Sequence, residues 1–228
     1  MMQWFKNKYH IALGIALLFH ISGVMGILFS PQKDWFIQNT PLNLILMSAL
    51  LIITQSQKNI LFWIFFTIAY LSGMIVEMIG VNTSFLFGHY EYGSVMGVKL
   101  RGVPLLIGLQ WFMMIYCSGI AIHHMQVWME NKFGDIAISP FVKTLSFAVD
   151  GALIAVIFDF IMEPVAIKLG FWQWNEHKIP VFNYTCWLLI SSVLLFVFSK
   201  LKFNKHNHFA IHLLKIQVLF FLALRIYL

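Results

Sequence analysis

The chain has 228 residues, of which 60% are hydrophobic and only 11% are charged, and its mean hydropathy is +0.81. A water-soluble domain of this size would expose much of that apolar surface, so the composition excludes an ordinary soluble fold. It favours an all-α, polytopic bundle of membrane helices, which forms one integral membrane domain over residues 1–228. The net charge of +6 comes from Lys and Arg residues that lie mostly between apolar segments, which indicates contact with membrane lipids and not with nucleic acid.

Apolar windows predict about seven transmembrane helices, at roughly 9–29, 41–55, 60–80, 103–123, 141–162, 181–199 and 209–228. The second window is short, and the seventh carries Lys215 and Arg225, so we interpret the seventh as tilted or partly interfacial. The first window follows Lys6 and Lys8 without a small-residue cleavage site, which favours a retained span over a signal peptide. The predicted spans place 8 Lys and Arg residues on the side of the N-terminus and 6 on the opposite side. Because basic residues are more frequent on the cytoplasmic side, this predicts a multi-pass protein of the cell membrane with a cytoplasmic N-terminus.

Carboxyl groups lie inside the apolar windows. Glu77 falls in the third span, Asp150 and Asp159 fall in the fifth, and Glu163 lies at the edge of the fifth. A charged side chain at the centre of a membrane helix costs about 2.5–3.5 kcal/mol on insertion scales. Such residues usually face the bundle interior and mark a functional site, so we take the four as candidate catalytic residues.

Topology predicts where these acids meet. The ends of the third and fifth spans and the starts of the fourth and sixth lie on one side of the membrane, which brings Glu77, Asp159 and Glu163 towards one face. Asp159 and Glu163 are four residues apart and share a helix face, whereas Asp150 lies about 180° round the helix and about 13 Å away. Asp150 is therefore equally suited to a structural contact with another helix.

The third span carries a stripe of Tyr70, Gly73 and Glu77 on one face. One interpretation is an acid in a polar groove that binds substrate. The alternative is a structural hydrogen bond between helices, with Gly73 allowing close packing.

Two connecting segments, residues 81–102 and 163–180, are rich in aromatic and ionisable side chains. The faces of aromatic rings stabilise a nearby cation, and His, Glu and Tyr side chains transfer protons. An interfacial aromatic belt is the alternative interpretation. We expect no metal site in these segments, because no pair of histidines at helical spacing accompanies His89 and Glu91. The residues that we expect to line a substrate site are Tyr70, His89, Tyr90, Glu91, Tyr92, Trp111, Trp172, Trp174, Asn183 and Trp187.

The order of short motifs carries a family resemblance over roughly residues 60–200. The motifs are Glu77-x-x-Gly80, FGHYEY at 87–92, LRGVP at 100–104, Trp111, Asp150, Asp159, Glu163-Pro164, GFWQW at 170–174 and PVFNYTCW at 180–187. In order and spacing they resemble a membrane carotenoid-biosynthesis family that includes carotenoid 1,2-hydratases and bisanhydrobacterioruberin hydratase.

The resemblance implies hydration of the terminal C1–C2 double bond of an acyclic carotenoid end, as in lycopene or γ-carotene, without any cofactor or metal. A carboxylic acid would protonate the alkene, and water would capture the tertiary carbocation. On this scheme Asp159 or Glu77 donates the proton and Glu163 positions the water. The implied partners are a carotenoid dissolved in the lipid, membrane lipids and other enzymes of the carotenoid pathway.

Two rival functions fit the same residues. A lycopene-cyclase-like enzyme would use the same protonation, with an internal alkene in place of water as the nucleophile. A proton-coupled transporter would use buried acids as a proton relay. The sequence shows no inverted repeat or paired broken helices, and its acids gather at one face, whereas a relay needs a path across the membrane.

Overall fold

Helices form at all seven predicted spans. The structure is a computed structural model that describes residues 2–134, 139–175 and 178–228, with side chains from residue 7 onwards. Its helices are α1 (Met2–Phe29), α2 (Lys33–Gln38), α3 (Thr40–Thr54), α4 (Ile60–Thr83), α5 (Leu106–Phe133), α6 (Pro140–Lys168), α7 (Val181–Lys200) and α8 (His208–Tyr227). Its strands are β1 (Tyr90–Tyr92), β2 (Lys99–Leu100), β3 (Val103–Pro104) and β4 (Trp172–Trp174).

The prediction of a polytopic helical membrane bundle is confirmed. Among the described residues, six helices are long and apolar enough to cross a membrane, namely Asn7–Phe29 of α1 together with α4, α5, α6, α7 and α8. The second predicted span is helix α3, which has 15 residues and is about 22 Å long, shorter than the ~30 Å hydrocarbon core.

Helix α5 lies at the centre of the bundle. In the most apolar window of α5, 72% of the residues are buried inside the protein, whereas the corresponding share for α1 is 28%. Helix α5 packs against α3, α4, α6, α7 and α8. Glycines allow this close packing: a Cβ added at Gly73 of α4 would overlap the ring of Trp111 on α5. The close packing at Gly73 agrees with the alternative interpretation of the Tyr70–Gly73–Glu77 stripe.

Helix α6 continues past Pro164 to Lys168, beyond residue 162, where the predicted span ends. A proline inside a helix cannot donate a hydrogen bond to the carbonyl four residues earlier, here that of Phe160. Arg225 of α8 takes that place, because its guanidinium donates to the Phe160 oxygen at 2.6 Å and stacks 4.6 Å from the Phe160 ring. The same contact gives the charged end of α8 a partner within the bundle.

A two-stranded ribbon joins the two aromatic connecting segments. Strands β1 and β4 pair antiparallel, so Tyr90 lies opposite Trp174 and Tyr92 opposite Trp172. The pairing agrees with the predicted topology, in which the ends of the third and fifth spans lie on one side of the membrane, and it forms strands where the sequence indicates only connecting segments. Gly93 fits at the end of the ribbon, where its N–H bonds the Phe171 carbonyl at 2.8 Å and an added Cβ would overlap the Gly170 oxygen.

Candidate active site

Glu77 accepts three hydrogen bonds beneath the ribbon. The phenol hydroxyls of Tyr90 and Tyr92 donate to its Oε2 atom at 2.5 and 2.8 Å, and the indole N–H of Trp111 donates to Oε1 at 3.0 Å. Burial and the neighbouring Glu77 charge hold the pKa of both tyrosines well above the usual phenol range, so each hydroxyl keeps its proton and donates. Three donors on one carboxylate is the arrangement that stabilises an ionised acid.

Asp159 and Glu163 lie one turn apart on α6, both with side chains facing the same pocket. Asp159 is only 1% exposed, and its Oδ2 atom accepts one hydrogen bond, from the Asn183 amide at 2.8 Å. Glu163 holds its position through the ribbon, because the indole N–H groups of Trp172 and Trp174 both donate to its Oε2 atom at 3.0 Å. Among the described residues no donor bonds Oδ1 of Asp159 or Oε1 of Glu163.

The three carboxyl groups surround a small cavity of about 20 Å3. A cavity needs roughly 10–15 Å3 on this measure to hold a water, so the space fits one molecule. Of the described residues that line it, none is Lys, Arg or His, and the acids therefore face one another without a compensating cation. The lining residues are Glu77, Phe87, Tyr90, Tyr92, Ile107, Gln110, Trp111, Asp159, Met162, Glu163, Trp172, Trp174, Asn183 and Trp187.

Aromatic rings enclose the acids on several sides. Trp111 of α5 and Trp187 of α7 stack with their ring centroids 4.1 Å apart and their planes 2° from parallel. Tyr90 and Trp174 lie 5.0 Å apart in the ribbon above. The electron-rich ring faces could stabilise a positive charge without offering an atom that would trap it.

Four residues that the sequence places in the site lie outside this pocket. Successive residues of a strand point to opposite faces, so exposed Glu91 points away from the acids and accepts a hydrogen bond from Gln173 at 2.7 Å. His89, also exposed, accepts a hydrogen bond through its backbone carbonyl from the Asn175 N–H at 3.1 Å, and no described residue bonds its side chain. Tyr70 donates to the Leu105 carbonyl at 2.9 Å.

Asp150 is the fourth of these residues and forms a local contact. Its Oδ2 atom accepts a hydrogen bond at 2.7 Å from Ser146, one turn earlier on α6. The helical geometry explains this placement, because nine residues turn its side chain to the opposite face from Asp159. The structure thus separates Asp150 from the three acids that it brings together.

Sequence reasoning missed four lining residues, Phe87, Ile107, Gln110 and Met162. Three are apolar and indistinguishable from ordinary core residues in a hydrophobic chain. Gln110 did carry a signal, since it is a polar side chain near the start of the fourth span and directly precedes Trp111. Polar residues at such positions commonly face a cavity or another helix.

Comparisons with known proteins agree with this description. A family profile described as carotenoid biosynthesis protein matches residues 40–227. Bisanhydrobacterioruberin hydratase of Haloarcula japonica is 28% identical over 128 residues, which are 54% of this chain and 40% of that protein. The chain therefore matches less than half of the length of this relative. No solved structure matches the chain.

Proposed function

The chain belongs to the carotenoid biosynthesis protein family, and from this premise we propose that it is a carotenoid 1,2-hydratase. It would add water across the terminal C1–C2 double bond of an acyclic carotenoid end. One observation carries the proposal: three carboxyl groups and a ring of aromatic side chains surround a space for one water inside a membrane bundle. The relative named as a hydratase supports the same class of reaction.

Asp159 is the proton donor in this proposal. The sequence left Asp159 and Glu77 as alternatives, and their hydrogen bonds separate them. Glu77 accepts three donors, as suits a permanent anion, whereas Asp159 accepts one and leaves Oδ1 free for a proton. A proton shared among three uncompensated acids also relieves their mutual repulsion.

The reaction then runs in three balanced steps. The Asp159 O–H bond breaks as a C–H bond forms at C2, and the alkene electron pair is used in that bond, which leaves a tertiary cation at C1. The oxygen of the water in the pocket bonds to C1, and Glu163 accepts a proton from it. Transfer of this proton to neighbouring Asp159 restores the site. The product is a tertiary alcohol, and the net change is one added water with no oxidant.

The surrounding residues lower the energy of the cation. Glu77 would supply a fixed negative charge that is already oriented by its three donors, and the Trp111 and Trp187 faces would supply further stabilisation. Because these groups are held before the substrate binds, little reorganisation accompanies the change of charge. The two indole N–H groups on Glu163 leave one carboxylate oxygen available to orient the water.

Pigment analysis tests the proposal directly. The chain, its Asp159→Asn variant and an Asp150→Asn control are expressed in bacteria that accumulate lycopene or γ-carotene, and the pigments are separated with mass detection. We expect a product heavier by one or two waters from the unsubstituted chain and the control, and its loss in Asp159→Asn. A product of unchanged mass would identify a cyclase, and unaltered pigment in both hosts would overturn the assignment.

A further inference from the structure

A second, larger cavity lies beside the acid pocket and enters no step of the reaction above. It encloses about 590 Å3, within the 300–1,000 Å3 range of ligand sites in proteins. Helices α1, α3, α5, α6 and α8 form most of its wall. The lining is mainly apolar and includes Met47, Met113, Met114, Phe158, Phe171 and Phe220. Such a wall suits an apolar ligand with adaptable contacts, because methionine side chains are flexible.

This chamber adjoins the acid pocket through shared residues. Gln110, Met162 and Trp172 line both spaces. The Gln110 amide nitrogen lies 3.3 Å from the Met162 sulfur, and this weak contact is part of the wall between them. Because both side chains are long and rotatable, the division between the two spaces can open by changes of rotamer alone.

The chamber wall also reaches the outer surface of the bundle. Phe19 of α1, Trp35 of α2 and Leu42 of α3 line the chamber and are 45%, 58% and 64% exposed. Large apolar side chains around an opening on a membrane protein face lipid. A hydrophobic molecule in the bilayer can therefore reach the chamber sideways, without passing through water.

We propose that this chamber binds the end segment of a linear isoprenoid chain, which enters from the bilayer between α1 and the α2–α3 segment. The inference rests on the proposed function for what happens at the acids, and it adds the route and the specificity. The Gln110–Met162 pair is the gate, displaced when the chain end reaches Asp159. One end enters at a time while the remainder stays in the lipid.

The proposed gate predicts which substrates are accepted. Because it opens by rotation of only two side chains, Gln110 and Met162, we expect a slender acyclic end to pass and a ring to be excluded. The far end stays in the bilayer and is free to be acyclic or cyclic. A monocyclic substrate is therefore expected to react once, and a substrate with two acyclic ends can react at each end in separate binding events.

Photo-crosslinking tests the chamber independently of catalysis. The full chain in lipid nanodiscs is irradiated with a geranylgeranyl chain that carries a diazirine at its hydrocarbon end, and labelled residues are mapped by mass spectrometry. We expect labels on Met113, Met114 and Phe158, reduced by excess lycopene and retained in Asp159→Asn. Labels confined to lipid-facing residues such as Ile21, or unaffected by lycopene, would overturn the proposal.

A matched pair of variants tests the entrance. Ser22 lines the chamber near the exposed side, and its hydroxyl bonds only its own helix, at 2.6 Å to the Leu18 carbonyl, among the described residues. Ile21 is the adjacent exposed residue and lies outside the lining. Ser22→Trp should lower chamber labelling about tenfold by removing apolar contact area from the ligand, and Ile21→Trp should not. Equal labelling of the two variants would refute lateral access at this point.

The two proposals can fail separately. A chain that binds the probe in the chamber but leaves every carotenoid unchanged would keep the binding site and overturn the hydratase. A chain that hydrates lycopene without labelling in the chamber would keep the hydratase and overturn the route.

Discussion

Tyr92→Phe tests whether Glu77 is a permanent anion. The substitution removes one hydroxyl, which donates to Glu77 Oε2 at 2.8 Å, and leaves the buried ring in place. Hydrogen bonds to charged groups contribute about 1.5–3 kcal/mol, and neutral ones about 0.5–1.5 kcal/mol. Neutral bonds between membrane helices average only about 0.6 kcal/mol. The decrease in the free energy of unfolding caused by Tyr92→Phe therefore shows whether the acceptor, Glu77, is charged or neutral.

Tyr70→Phe provides the matched control, because the Tyr70 hydroxyl donates at 2.9 Å to a neutral acceptor, the backbone carbonyl of Leu105. Steric trapping in bicelles measures the free energy of unfolding of both variants. We expect a loss of about 1.5–3 kcal/mol for Tyr92→Phe and about 0.6 kcal/mol for Tyr70→Phe. A loss for Tyr92→Phe that does not exceed that of the control would refute an ionised Glu77 and its role as the anion facing the cation.

Three further substitutions separate catalytic from structural roles. Asp159→Asn should lower the hydration rate about 10²–10⁴-fold, the usual contribution of a positioned acid, while circular dichroism shows the same helix content. Asp150→Asn should leave the rate in the pigment assay unchanged, because its partner is Ser146; a large loss would return Asp150 to the site. Gly93→Ala should lower the free energy of unfolding by about 1–3 kcal/mol, because the added Cβ meets the Gly170 oxygen. Gly14→Ala is the control, because an added Cβ there has nothing within 4 Å. Equal melting temperatures of the two variants in thermal unfolding would contradict a tight ribbon.

Much of the site was predictable because membrane chemistry makes it conspicuous. A carboxyl group is costly in hydrocarbon, so Glu77, Asp159 and Glu163 stand out in their apolar spans. The parity of the spans then places the ends of α4 and α6 on one side of the membrane. Helical periodicity also places Asp150 on the opposite face from Asp159. The hydrogen bond between Asp150 and Ser146 agrees with that placement.

The ribbon could not be predicted in the same way. Strands of three residues are too short for an alternating pattern to be distinguished from a loop. Their pairing joins Tyr92 to Trp172, which are 80 positions apart in the chain. As a result the sequence grouped His89 and Glu91 with their neighbours, whereas the strand turns Glu91 outwards and leaves His89 exposed.

The sequence by itself determined the membrane class, the helical spans and the acids that gather at one face, because burial in lipid restricts composition and backbone hydrogen bonding at every position. Only the tertiary structure decided which acid holds which donors, and that the apolar chamber meets the acid pocket at Gln110 and Met162. Those features depend on distances between residues that are remote in the chain. Such distances are set by the packing of side chains, which leaves no periodic signal in the sequence.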